Sequence, residues 1–334
     1  MRSAFVGQAM IPPLLALLAC GSCTSISDQT TECGAGARVV SVSTAAQLTD
    51  ALNNAQPGDT IAVAPGTYIG RWTIVRSGAF CAPITLTGPR MAILMGPDLT
   101  GTGLYLNGAD YWVIHGLSLQ KSLAGIAVKN GANWNVLDSL DTSGQGQANV
   151  VIKTNSTHNK ILHNQIHGGG ISDAQFGEGV YIGTAESEWV NGVPDRSDSN
   201  EVIGNHIYGT TADGIQSMAG TTGTLIRGDT IDGAAMVAIP SAPPHWVLAM
   251  GNDMVVDSNL ATNALTQGMK VRRSSTAPTW GSNIVFSANQ MTMSSRAESY
   301  PAIYLETQPA QGMVVKCDNV RTDPGTLANL ACTP

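Results

Sequence analysis

A six-residue pattern returns along most of the chain: an apolar residue, two variable positions, a small polar or apolar residue, one variable position, and a final position that is usually apolar. It starts at Ile114 (IHGLSL), Leu137 (LDSLDT), Ile161 (ILHNQI), Val202 (VIGNHI), Ile226 (IRGDTI), Val256 (VDSNLA), Phe286 (FSANQM) and Val315 (VKCDNV), in steps of 23, 24, 41, 24, 30, 30 and 29 residues. Asn164, Asn205, Asp229, Asn259, Asn289 and Asp318 fill the fourth position of successive units. Such a column is what a stacked coil produces, because an asparagine at a repeated corner tolerates left-handed backbone and hydrogen-bonds to the asparagines above and below.

A second column supplies the other strand of each turn: GLYL from Gly103, GIAV from Gly125, VVI from Val150, GVYI from Gly179, GIQS from Gly214, GMKV from Gly268 and AIYL from Ala302. Glycine makes the turn into the strand, and alternate residues then point into the coil. Each turn is too small to bury its own apolar face, so about eight to ten stacked turns make the core. Leucine-rich repeats want a denser leucine framework and propellers a period nearer 40 with Trp-Asp, so neither fits. The expected fold is all-β, a right-handed parallel β-helix over residues 39–334.

The segment from Val40 to Tyr68, with STAAQLTDALNNAQPGDTIAVAPGTY, resembles the N-terminal cap of secreted parallel β-helix proteins of the pectate lyase-like superfamily, among them alginate and chondroitin lyases. The resemblance implies a short helix, about Thr44 to Ala55, that plugs the open end of the coil. GEGVYIG, PDRSDSNEVIGNHIYG and TTADGIQSMAGTTG are similar to a group of secreted β-helix proteins described by fold and taken to be carbohydrate-active. Members of that group carry acidic and lysine side chains where this chain has Gln216, Met218 and Ala219. Either Lys270 has taken over the work of that lysine, or this chain binds without cleaving.

Composition narrows the class. Only 12% of residues are charged, about half the usual share, which argues against long surface helices and for strands and tight turns. A net charge of −7 excludes a phosphate-binding surface spread over the whole protein, so no nucleic-acid partner is expected and any basic patch is local. Arg2 followed by the apolar run Ile11–Ala19 reads as an export signal over residues 1–22, too short to span a bilayer. Leu17, Leu18, Ala19 and Cys20 also fit a bacterial lipoprotein signal, with Cys20 as the lipid anchor. A flexible segment would follow over 23–38. Cys33, Cys81, Cys317 and Cys332 remain in the mature body, an even number suited to an oxidising compartment. Their placement suggests Cys33 with Cys81 and Cys317 with Cys332.

Strand alternation assigns a candidate face. If Ile126, Val128, Val150, Ile152, Val180, Ile182, Ile215, Met269, Val271, Ile303 and Leu305 point inward, then Lys129, Val151, Lys153, Tyr181, Gln216, Met218, Lys270, Arg272, Tyr304 and Glu306 point outward. A local basic strip with two tyrosines on an acidic protein suits an acidic polysaccharide, held by Lys129, Lys153, Gln216, Tyr304 and Glu306, with Arg196 from the insertion. The chain is expected to act on it as a monomer. β-Elimination on a uronate needs a neutraliser for the carboxylate, a base for the C5 proton and a group assisting the leaving oxygen. Lys270 as base, Arg272 as charge stabiliser and Tyr181 form the expected catalytic set, with flanking cations disfavouring the charged form of Lys270.

The insertion AESEWVNGVPDRSDS, between Gly183 and Asn200, is long enough to wall a cleft. Glu178, Asp195, Asp198 and Glu201 come from or flank it and Asp213 follows one turn later, a set suited to Ca²⁺ or to a salt-linked loop. His163 and His206 are candidates for orienting sugar hydroxyls, although corner histidines are more often structural. Paired carboxylates on the sheet face, as a galacturonan hydrolase needs, are not found in this reading. Three functions follow for the scaffold: a polysaccharide lyase, a non-catalytic polysaccharide-binding surface protein, or an epimerase or hydrolase.

Overall fold

The computed structural model describes residues 38–274, 280–306 and 312–334. The export and lipid-anchor residues, the segment up to residue 37 and Cys33 lie outside the described residues. The chain winds as a right-handed parallel β-helix of three sheets with eleven, nine and ten strands, all paired in parallel to the turn before and after. One turn runs through Ile126–Lys129 in the nine-stranded sheet, Val136–Asp138 in the eleven-stranded sheet and Asp141–Ser143 in the ten-stranded sheet. The next turn then opens with Val150–Ile152, set beside Ile126–Val128. None of the described helices is long and apolar enough to cross a membrane.

The periodic apolar residues are the core. Ile114, Leu137, Ile161, Val202, Ile226, Val256, Phe286 and Val315 stack in one fully buried column. Each such side chain contributes roughly 1.5–3 kcal/mol by leaving water. The end of this column is closed by a helix, α1, over Ala45–Asn53, which buries Leu48, Ala51 and Leu52. Thr44 stands outside it as the N-cap, accepting from the Gln47 N–H at 3.2 Å. At the other end the tail pairs with the last strands, and Cys317 is bonded to Cys332.

The corner column differs from the expectation in two respects. Asn164, Asn205, Asp229, Asn259 and Asn289 do form a ladder, each accepting from the backbone N–H one rung back. The left-handed backbone, however, belongs to the residue before each of them: His163 (φ 53°), Gly204 (φ 68°), Gly228 (φ 65°), Ser258 (φ 57°) and Ala288 (φ 50°). That preceding residue makes the bend, which frees the amide to point inward and bond along the stack. The last rung of the ladder is Asn319, not Asp318, and receives the Asn289 amide at 2.8 Å. Asp318 instead accepts from the Ala288 N–H at 2.9 Å. A second ladder of Asn135, Asn159 and Asn200 runs along another corner.

The long step is an insertion between the strands Val180–Ile182 and Glu201–Ile203, folded into two short 3₁₀ turns over Glu186–Glu188 and Val190–Gly192. Asp195 pins it back onto the coil by accepting from the N–H groups of Thr154 and Asn155, each at 2.7 Å.

Candidate functional site

The nine-stranded sheet presents two outward columns. One runs Tyr105, Ala127, Val151, Tyr181, Gln216, Leu248, Lys270, Tyr304, one residue per rung. The other follows the strand ends: Lys129, Lys153, Met218, Met250, Arg272 and Glu306, each of the last five bonded through its N–H to the neighbouring rung. The residues proposed for the polysaccharide therefore share one face, apart from Arg196. Arg196 projects from the insertion, paired with Asp198 at 2.9 Å and lying 5.8 Å over the Trp280 ring, and it does not line the cleft.

That cleft, of about 520 Å³, is centred on the middle rungs. Its floor includes Val151, Tyr181, Gln216, Leu248 and Lys270. Ala185 and Glu188 of the insertion wall one side, and Gln175, Phe176, Pro243 and Pro244 from two further loops wall the other. These last loops carry no periodic pattern and were not apparent from the repeat.

The strand Val247–Ala249 is an additional rung between Ile215–Ser217 and Met269–Val271. It places Lys270 three rungs from Tyr181, about 14 Å at the usual strand spacing. Tyr181 is instead met by Lys153, whose Nζ lies 4.4 Å over its ring centroid. Burial, followed by the nearby Glu178 and Glu188, pushes the Tyr181 phenol far above the ordinary tyrosine value, with Arg272 opposing. Tyr181 is thus a neutral phenol. Lys270 pairs with Glu306 at 3.3 Å and stands 5.7 Å from the Tyr304 ring centre. The crowding expected around Lys270 falls on Lys129, whose ammonium is pushed below the ordinary lysine value by burial and then by Lys153. Met218 is buried in an apolar cluster with Leu248, Met250 and Trp280.

Along the leading edge of the same sheet a second set stacks: Ala148, Glu178, Asp213 and His245 occupy consecutive rungs and all line the cleft. Asp213 accepts from the His245 backbone N–H at 2.6 Å and lies 3.2 Å from its ring Nδ1. The other ring nitrogen of His245, buried against the cleft wall, has no partner among the described residues. Burial, reinforced by Asp213, raises the Glu178 carboxyl to about 8. His245 was not singled out by sequence, because no periodic signal marks it.

The five carboxylates proposed for Ca²⁺ do not gather. Asp195 is spent on the insertion, Asp198 accepts from the Thr222 N–H at 2.7 Å, and Glu201 pairs with Lys160 at 3.2 Å on the eleven-stranded sheet. Only Glu178 and Asp213 remain near each other. Among the described residues no three His, Cys, Asp or Glu side chains form a metal-holding group, so this set does not fit the ion. His163 and His206 also face away from the cleft. His163 bonds Asp138 at 3.0 Å on the eleven-stranded sheet, and His206 stacks near Tyr208 on the ten-stranded sheet.

Residues 102–308 match the family described as "Right handed beta helix region", and the chain belongs to that family. Among solved structures it is similar to an alginate lyase from Paenibacillus sp. str. FPU-7, at 28% identity and a TM-score of 0.77, covering 87% of this chain and 97% of that one. It is also similar in fold to a pectate lyase, at 12% identity and a TM-score of 0.62, over 90% of this chain and 83% of the other. A periplasmic alginate epimerase aligns at 11% identity and a TM-score of 0.55, over 80% and 61%. No curated protein matches the sequence.

Proposed function

We propose that this protein is a secreted polysaccharide lyase that binds an acidic, uronic-acid polysaccharide along the nine-stranded sheet and cleaves it by β-elimination. The observation that carries the reading is the neutral Tyr181 phenol in a walled cleft, with Lys153 against its ring and Arg272 within electrostatic reach. The similarity to an alginate lyase over 97% of that enzyme's length supports the same chemistry. Tyr181 assists the leaving oxygen as proton donor, and Lys153 rather than Lys270 is the amine placed to act on the same sugar. Lys270 and Arg272 hold the polymer three rungs further along. Ca²⁺ is not required by any residue set described above, and no step is assigned to it.

The test is incubation with alginate, polygalacturonate, glucuronan and chondroitin, followed by the ultraviolet absorbance of the unsaturated product. Tyr181→Phe should lower the rate about 10²–10⁴-fold while leaving melting unchanged, since no hydrogen bond ties its hydroxyl to the described residues. No product from any of the four polymers with the unaltered protein sinks the lyase reading. Binding without cleavage is the second reading, favoured by Met218, whose buried thioether supplies no base where similar proteins carry lysine. It expects retention on these polymers with no new chain ends.

A further inference from the structure

We infer that Glu178 is the group that receives a uronate carboxylate of the polymer, donating its own O–H to it. The assignment rests on the cleft reading above and names the place on the floor where an acidic sugar sits. Glu178 precedes the strand Val180–Ile182, is 5% exposed, and keeps that exposure toward the cleft it lines. Its carboxyl has no side-chain hydrogen bond or ion pair with the described residues. A buried carboxyl that is hydrogen-bonded only within its own residue is costly to a fold, and such groups cluster at functional sites.

The groups facing it settle its form. The Oδ1 of Asp213, on the next rung, accepts from the His245 backbone N–H at 2.6 Å and lies 3.2 Å from its ring Nδ1. Lys153 on the preceding rung is turned toward Glu188, at 3.9 Å, and the Tyr181 ring. Asp173 lies in the loop before it, and Tyr181 three residues after it is neutral. Burial first, then Asp213 and Asp173, hold the proton on Glu178 up to about 8, against a hydrogen bond from its own backbone N–H and against Lys153. Of the two carboxyls on adjacent rungs, burial and the neighbouring acids favour the protonated form of Glu178, which makes it a hydrogen-bond donor. A neutral carboxyl donates one hydrogen bond to an anion, whereas an ionised one repels it. No bond breaks in this step: the uronate shares the Glu178 proton, its charge is drawn away from C5, and removal of the C5 proton becomes easier.

The experiment compares the full chain with Glu178→Gln and Glu178→Ala. Affinity electrophoresis in alginate, polygalacturonate and uncharged dextran is run at pH values on either side of the Glu178 transition, with KM measured for any polymer that is cleaved. Wild type should bind one polyuronate about 10-fold more weakly on the alkaline side and should ignore dextran. Glu178→Gln, which keeps a donor, should match wild type within about 3-fold on the acid side and lose the alkaline fall; Glu178→Ala should bind about 10-fold more weakly throughout. A flat wild-type profile, equal retention on dextran, no binding to either polyuronate, or a folded Gln variant as weak as Ala overturns the assignment. Binding is read without turnover, so absence of unsaturated product would remove the lyase chemistry and leave this result standing.

Discussion

Asp229 occupies a ladder position that its neighbours give to asparagine, and the difference is one proton. Its Oδ1 accepts from the backbone and amide of Asn205, at 2.7 and 2.8 Å, as an asparagine oxygen would. Its Oδ2 stands where Asn205 and Asn259 place a donating amide, and it has no partner among the described residues. Burial raises this carboxyl to about 8, against hydrogen bonds from Asn205 that lower it. Because the folded value lies above the unfolded one, the native state holds the proton longer. Stability from this site is complete below the unfolded value near 3.8, declines as pH rises, and is lost above about 8. Asp229→Asn supplies the missing donor, so urea midpoints should show it more stable than wild type, with the gap widening up to about pH 8 and constant beyond. Parallel curves for the two proteins would count against a protonated Asp229.

Elements differ in how far the chain announces them. The stacked core columns and the outward position of Lys129, Lys153, Tyr181 and Lys270 follow from periodicity alone, since spacing of two and recurrence at each turn leave few alternatives, whereas the cap helix follows from the resemblance of the segment Val40 to Tyr68. The rung Val247–Ala249 was hidden because Trp246 stands where most other rungs have glycine, and its omission set Lys270 too near Tyr181. The walls containing Phe176 and Pro243, and the Asp213–His245 pair, were illegible for a different reason: they arise from loops whose placement depends on tertiary packing, not on local pattern. At the C-terminal end the Cys317–Cys332 pairing was legible, but the polar cluster beside it was not. Arg321 is 3% exposed in its side chain, pairs with Asp323 at 2.6 Å, and donates to the carbonyls of Glu298, Tyr300, Pro324 and Thr326. Arg321→Ala leaves those oxygens and a carboxylate without their donor. It should lower stability by roughly 3–5 kcal/mol in chemical denaturation, more than loss of any single exposed ion pair on the coil.

At the scale of the whole molecule the cations form a local strip on a chain of net charge −7. Retention on a polyuronate should therefore weaken steeply with added salt, and Lys129→Ala with Lys153→Ala should flatten that dependence, as salt-gradient elution will show. Insensitivity to salt would mean that charge does not govern the contact. The added rung Val247–Ala249 has a consequence for substrate size. Because every rung advances by one strand spacing, the coil measures its ligand in fixed increments, and Lys270 can be reached only by an occupant that bridges three of them from Tyr181. Lys270→Ala should then be silent for the shortest fragments and progressively more damaging for longer ones, so that a solenoid lengthened by one turn becomes a gauge of chain length.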